Sequence, residues 1–343
     1  MNRDISDLFD RLHENPEPSG LEFNTKKIIR DFMDRNTSME YNELPGGFYY
    51  VYRVENPEKN IALRADYDAV DLGNDCIGHF CGHDGHSSAL CLTALKLMEK
   101  GSRNNVFLLF QSAEENGSGA ANCLDIFNEK IDAIYGQHNL PGFPFGKAYT
   151  SKDVFACASC GLILDLKGKS THAAYPELGI SPAKTVSRIL DLSERYRTPE
   201  KMVTVIEVRM GEEAFGVMAH EARVCLTLRS TSDEKLNELK KEILNIVKEN
   251  EEGISCEYEQ TDRFPATVNH PSSYRFLKER IRAEDLKEPM RWSEDFGCYL
   301  LEHEGAFFGV GSGVDQAPLH SEGYCYPKDL IEITAELFYN LCR

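Results

Sequence analysis

The sequence predicts an α/β protein of two domains, one inserted into the other, and three observations carry that reading. Short apolar runs bounded by polar turns alternate with helical segments, the pattern of a largely parallel sheet buried on both faces. Over residues 158–265 the pattern changes to strands with alternating polar positions and amphipathic helices, an α+β unit with one open sheet face. After Pro265 the buried-strand pattern returns. At 343 residues the chain is too long for one ordinary core, and about 150 residues per domain gives two.

The elements follow in order. Ile5, Leu8, Phe9 and Leu12 fall at the i, i+3, i+4, i+7 spacing of a buried helix face. A Pro- and Gly-rich break at 15–20 separates them from a second helix through Ile28, Ile29 and Phe32. Residues 61–63, 106–110 and 133–135 read as buried strands, with a Leu- and Ala-rich helix at 87–100 between the first two. In the changed region, 162–164, 203–208 and 224–228 read as strands. Residues 233–250 read as a helix, with Leu236, Leu239, Ile243 and Ile246 on one stripe. The last buried strand is 306–310.

Charge and composition narrow the function. Lys and Arg number 38 against 56 acids, a net charge of -18. Such a chain repels phosphate backbones and anionic lipid, so neither nucleic acid nor a membrane is expected as a partner. The N-terminus lacks a secretory apolar core, and no run approaches the ~20 apolar residues of a membrane span. Eleven cysteines, an odd number, then read as reduced thiols and the compartment as cytoplasm.

The chemistry concentrates at strand ends. His79, Cys81, His83, Asp84 and His86 lie within nine residues, 78–86, a metal-ligand set by type. Gly82 and Gly85 let the backbone bend so that these side chains converge. Glu114 and Glu115 closely follow the run 106–110, Asp66 and Asp68 the run 61–63, and His138 the run 133–135; His320 comes ten residues after Val310. Ligands of open α/β sheets gather beyond the carboxyl ends of strands. A divalent ion lowers the pKa of a bound water from ~15.7 towards ~7. Of two adjacent glutamates, one can then ligate while the other carries the proton.

Several strings resemble a known family in the right order along nearly the whole chain. They are Leu12-His13-Glu14-Asn15-Pro16-Glu17, Ala62-Leu63-Arg64-Ala65-Asp66-Tyr67-Asp68-Ala69 and Cys81 to His86. Glu114-Glu115, His138 with Pro141 and Gly168-Lys169-Ser170-Thr171-His172-Ala173-Ala174 follow, then Ser293-Glu294-Asp295-Phe296 and Leu319-His320-Ser321. The family is that of the di-metal peptidases and amidohydrolases, containing carboxypeptidase G, the aminoacylases and hippurate hydrolase. The similarity is greatest to the hippurate-hydrolase and auxin-conjugate branch. The chain departs from it at Val70-Asp71-Leu72, where members carry Pro after Asp-Ala-Leu, and around 210–220, which lacks a Gly-x-x-x-Asn run.

The resemblance implies a phosphorylase/hydrolase-like di-metal catalytic domain, residues 1–157 and 266–343, with an inserted ferredoxin-like lid and dimerisation domain, 158–265. It implies two divalent ions (Zn2+ or Mn2+, with Co2+ or Ni2+ as further options) bridged by Cys81. His83, Glu115, His138 and His320 would complete the ligands. Glu114 would be the general base and acid, and Asp68 would orient a ligand. His172 would stabilise the oxyanion, in its own site or in that of the other subunit of a homodimer. Asn269 and Arg229 would hold a substrate carboxylate. The implied reaction is hydrolysis of the amide bond of N-acyl-amino acids or small peptides. Two other readings stay open: a thiol hydrolase in which Cys81 pairs with His83 or His86, and a catalytically silent metal-binding scaffold. Cys157 and Cys160 form a lone CxxC, read as hinge packing, and neither 309–313 nor 117–119 completes a nucleotide-binding loop.

Overall fold

The computed structural model describes residues 3–249 and 253–343. They divide into two compact units, one of residues 3–155, 267–288 and 294–343, the other of 156–266 and 289–293. The second unit thus also takes the short segment 289–293, which the sequence reading left with the first.

The first unit is built on an eight-stranded sheet. In spatial order its strands are Glu40–Leu44, Gly47–Tyr52, Asn105–Gln111, Asn60–Asp66, Ala133–Pro141, Gly305–Gly313, Ala148–Thr150 and Glu284–Asp285. The four from Asn105–Gln111 to Gly305–Gly313 run parallel, and Glu284–Asp285 is parallel to Ala148–Thr150. The remaining pairings are antiparallel, so the sheet is mixed rather than largely parallel. For one of these pairings the reason is local: Leu44 pairs with Gly47 across the two-residue turn Pro45-Gly46, and a turn that short can only return the chain antiparallel.

Both faces of this sheet are buried. Leu63, Leu108, Phe308 and Val310 pack on one side against the helices Arg3–His13, Phe23–Asn36, His83–Lys100, Pro271–Ile281 and Lys328–Cys342. On the other side Phe107 and Phe307 are buried, near the helical turns Ala120–Glu129 and the short helix Gly297–Glu302. No helix among the described residues is long and apolar enough to cross a membrane.

The second unit runs strand–helix–strand–strand–helix–strand: Ala158–Lys167, Ala183–Arg195, Lys201–Met210, Glu221–Ser230, Asp233–Glu249 and Ser255–Phe264. Numbering those four strands along the chain, their spatial order is 2-3-1-4, all antiparallel, which is the ferredoxin-like arrangement. Leu162, Leu164, Val224, Leu226 and Leu228 face the helix residues Ile189, Leu192, Leu239 and Ile243 in one core. Ile206 and Tyr258 point to solvent, so one sheet face is open. The predicted helix 233–250 is observed as Asp233–Glu249, and Asn250 lies outside the described residues.

Candidate functional site

The site grows from four strand ends and one helix start, all in the first unit. Asp66 closes the strand Asn60–Asp66, and Asp68 lies two residues beyond it. Past the neighbouring strand Asn105–Gln111, Ala113 sits at φ 54, a left-handed turn uncommon for a residue with a side chain, and Glu114 and Glu115 follow it. The strand expected at 133–135 runs on to Pro141, so His138 lies within it rather than after it. His320 follows Gly305–Gly313 by a loop and is itself left-handed, at φ 58. Its N–H donates to the Phe80 carbonyl at 2.9 Å, which ties this loop to the segment entering Cys81.

The helix expected at 87–100 begins earlier, at His83. Its two glycines serve different ends. Gly82, at φ +94, makes the bend before the first turn, whereas a Cβ on Gly85 would come within 2.3 Å of the Tyr326 ring. Gly85 is therefore there for close packing, not for bending.

The ligand atoms of Cys81, His83 and His138 all lie within 4.8 Å of one another, and so do those of Cys81, Glu115 and His320. Two triads thus share one thiol. His138 Nε2 is 3.3 Å from Cys81 Sγ, while its Nδ1 donates to the Asn139 carbonyl at 2.8 Å. His83 Nδ1 lies 3.0 Å from both the carboxylate and the carbonyl of Asp68. In each ring the Nδ1 bond leaves the Nε2 lone pair turned into the site, the tautomer a metal needs. His83 Nε2 is buried without a hydrogen bond, 3.7 Å from Glu115 Oε1 and 4.0 Å from Glu114 Oε2. His320 Nε2 stands 3.3 Å from Glu115 Oε2. Asp68 is fixed in turn by Ser19 Oγ at 2.7 Å and the Glu115 N–H at 3.0 Å.

Electrostatics reflect the crowding of acidic groups here. Burial, then the Glu115 and Glu114 carboxylates, push the Cys81 thiol well above its ordinary value. Burial, then Glu294 and Glu115, raise Glu114 in the same way. For His83 burial acts downward, but Asp66 and Asp68 outweigh it and lift the imidazole to about 10. Asp68, Glu114, Glu294 and Asp295 are buried together, and the buried Arg64 guanidinium pairs with Glu294 and Asp295. Divalent cations reverse this balance, favouring the thiolate and the ionised carboxylates. The orphaned His83 Nε2 and Glu115 Oε1 and the S, N and O donors fit such ions.

Several residues of the site went unassigned in the sequence reading. Arg64 donates to Gln111 at 2.8 Å, to Asp66 at 2.6 Å and to Asp295 at 2.8 Å, and pairs with Glu294 at 3.0 Å. Asp66 also holds His86 at 2.6 Å, and the other His86 nitrogen meets Asn139 at 2.5 Å. His86 is therefore spent on protein partners rather than on Cys81. A buried-type strand carrying an arginine, Ala62-Leu63-Arg64-Ala65, was the available signal.

The remaining predicted residues divide. His172 is exposed on the second unit, its Nδ1 accepting the Ala174 N–H at 3.0 Å. Arg229, also in the second unit, donates to Ser293 Oγ at 2.7 Å and forms no ion pair among the described residues. Asn269 is a correction. It belongs to the first unit, is 3% exposed, and donates to Thr150, Ser151 and Phe307 while accepting the Phe307 N–H. Its two N–H groups are committed to holding the chain there, which leaves no donor for a substrate carboxylate.

Comparison with known proteins accords with this geometry. The family model described as Peptidase family M20/M25/M40 matches residues 62–343. An N-acetyldiaminopimelate deacetylase of Priestia megaterium is 28% identical over 88% of this chain and 87% of its own. The IAA-amino acid hydrolase ILR1-like 5 of Arabidopsis thaliana is also 28% identical, over 96% of this chain and 84% of its own. The crystal structure of Bacillus subtilis YxeP, described as a dinuclear metal binding peptidase from the M20 family, superposes with a TM-score of 0.82. It is 22% identical, covering 98% of this chain and 96% of that one. With the family match spanning most of its length, the chain belongs to peptidase family M20/M25/M40 and is a hydrolase of amide bonds.

Proposed function

We propose that the protein releases an amino acid from N-acyl-amino acids or small peptides, using a water activated at the two triads that share Cys81. The observation that carries this is the position of Glu114. It is buried beside the shared-thiol cluster, its Oε2 4.0 Å from the orphaned His83 Nε2, and lies outside both triads that share Cys81, although its ligand atom also comes within 4.8 Å of those of His83 and Glu115. The named activities of the deacetylase and the IAA-amino acid hydrolase support the substrate class.

Cys81 and the pair His83 and His138 would hold one divalent ion, and Cys81 with Glu115 and His320 the other. Thiolate and imidazole suit Zn2+, while the carboxylate and imidazole donors also admit Mn2+, Co2+ or Ni2+. The ions supply the charge that lowers the pKa of water from ~15.7 towards ~7. Glu114 takes the proton from that water and returns it to the leaving amine nitrogen. Asp68 keeps His83 in its ligating tautomer. In the second unit, His172 accepts at Nδ1, which leaves a proton on Nε2 to donate to the oxyanion, and Arg229 offers an unpaired cation to a substrate carboxylate. That unit serves as lid and dimerisation surface of a cytoplasmic homodimer.

The test measures bound metal and turnover of N-acetyl- and N-benzoyl-amino acids. Glu114→Gln is expected to keep both ions and lose about 10²–10⁴-fold in kcat. Turnover that survives with metal retained removes Glu114 as the base. Against the thiol reading, Cys81 Sγ bonds to His138 Nε2 at 3.3 Å rather than to His83 or His86, and burial raises the thiol's pKa. Activity lost to a chelator and restored by added metal excludes a metal-free thiol mechanism.

A further inference from the structure

The segment before the second helix carries a reversed burial pattern. Leu21 and Phe23 are exposed, at 57% and 75%, while Glu22 between them is 6% exposed. Placing a carboxylate inside and two large apolar side chains outside is costly unless the carboxylate has a specific partner. It has one: Glu22 Oε1 accepts the backbone N–H of Ala113 at 2.7 Å. Ala113 is the left-handed residue, at φ 54, immediately before Glu114.

The segment itself is firmly anchored. The Glu17 carboxylate accepts the N–H groups of Asn24 and Thr25 at 3.1 and 2.7 Å, which fixes the start of the helix Phe23–Asn36 directly after Glu22. The Glu17 carbonyl accepts the Ala69 N–H at 2.8 Å, and Ser19 Oγ reaches Asp68 at 2.7 Å. One short strap thus touches both Asp68 and the turn that presents Glu114. It lies ahead of the residues matched by the family model, which start at 62.

We propose that Glu22 is a positioning residue for Glu114: by accepting the Ala113 N–H it holds the left-handed turn that aims the base. The proposal rests on Glu114 being the base. A non-glycine residue persists in that backbone region only when its surroundings over-determine it. Glu22 is the buried side chain that holds the Ala113 N–H, which has no strand partner beyond the end of Asn105–Gln111, while the Gly119 N–H holds the Ala113 carbonyl at 3.0 Å and Asp68 the Glu115 N–H.

The experiment compares Glu22→Ala and Glu22→Gln as metal-loaded, full-length protein. A base misplaced by about 1 Å costs up to ~10²-fold, so Glu22→Ala is expected to lose ~10–100-fold in kcat, with KM and metal stoichiometry held within about twofold. Glu22→Gln keeps an acceptor oxygen at the same reach, and its kcat is expected within about threefold of wild type. Amide hydrogen exchange at Ala113 is expected to speed up in Glu22→Ala and to stay slow in Glu22→Gln. Where the alanine variant does not fold, Glu22→Asp withdraws the acceptor by one methylene and is expected to show the same loss of kcat.

A Glu22→Ala kcat within about twofold of wild type overturns the proposal, as does a loss that merely tracks lost metal or a glutamine variant without rescue. A wild type that hydrolyses no amide overturns the reading of Glu114, and this proposal with it. A wild type that turns over and is matched by Glu22→Ala overturns this proposal alone.

Discussion

In the first unit Asp66, Asp68, Glu114, Glu294 and Asp295 are buried with Arg64 in and around the strand ends of a sheet covered on both faces. In the second unit the ion pairs Arg223–Asp165, at 3.0 Å, and Lys167–Glu221, at 3.0 Å, stand in solvent around an open sheet face. The two units treat charge in opposite ways. A solvated pair is screened, and its loss is scarcely felt. A buried carboxylate must be answered by a cation at contact distance, or protonate. The acidic groups of the first unit therefore specify what must be bound there, whereas those of the second keep its surface wet.

Four perturbations test this contrast. Removing metal with a chelator is expected to abolish turnover and to destabilise the first unit by about 4 kcal/mol where the ion had stood at ~1,000 times its Kd. Hydrogen exchange in the strands Lys201–Met210 and Glu221–Ser230 is expected not to change, so equal loosening of both units would erase the distinction. Next comes Arg64→Met, which strips Asp66, Glu294 and Asp295 of their guanidinium and is expected to cost about 3–5 kcal/mol in a urea melt. Third, Asp68→Asn removes the charge behind His83. Metal titration of that variant is expected to show binding weaker by about 10–100-fold, with the melt of the metal-free protein little altered. Last, Arg223→Ala is expected to leave the urea midpoint in place, and a clear shift there would show that the second unit also relies on its charges.

Much of this was legible in the residue order. The runs at 61–63 and 106–110 are apolar throughout because their strands are buried on both faces, and the ligand types cluster just beyond or near such runs. What escaped had partners far away or alternatives nearby. Arg64 finds Asp295 across 231 positions and Glu22 finds Ala113 across 91, distances over which no local pattern speaks. The strand Gly47–Tyr52 had a local signal, a run of aromatic residues and Val51 after the turn Pro45-Gly46, but its place in the sheet depends on pairing with Asn105–Gln111 more than fifty residues on. Asn269 shows the opposite failure. A polar residue near a domain boundary looked available for substrate, yet two neighbouring segments, at Thr150-Ser151 and at Phe307, take up both of its N–H groups.

The strand Gly305–Gly313 sits inside the eight-stranded sheet, bonded on one side to Ala133–Pro141 and on the other to Ala148–Thr150. During synthesis those two partners leave the ribosome about 160 residues before it does. At ~5–20 residues per second they wait roughly 8–30 s, with the inserted unit made in the meantime. For that interval Ala133–Pro141, which carries His138, is an unpaired strand edge open to pairing with other nascent chains. Closure of that edge thus waits for the strand Gly305–Gly313, the last of the sheet to be made.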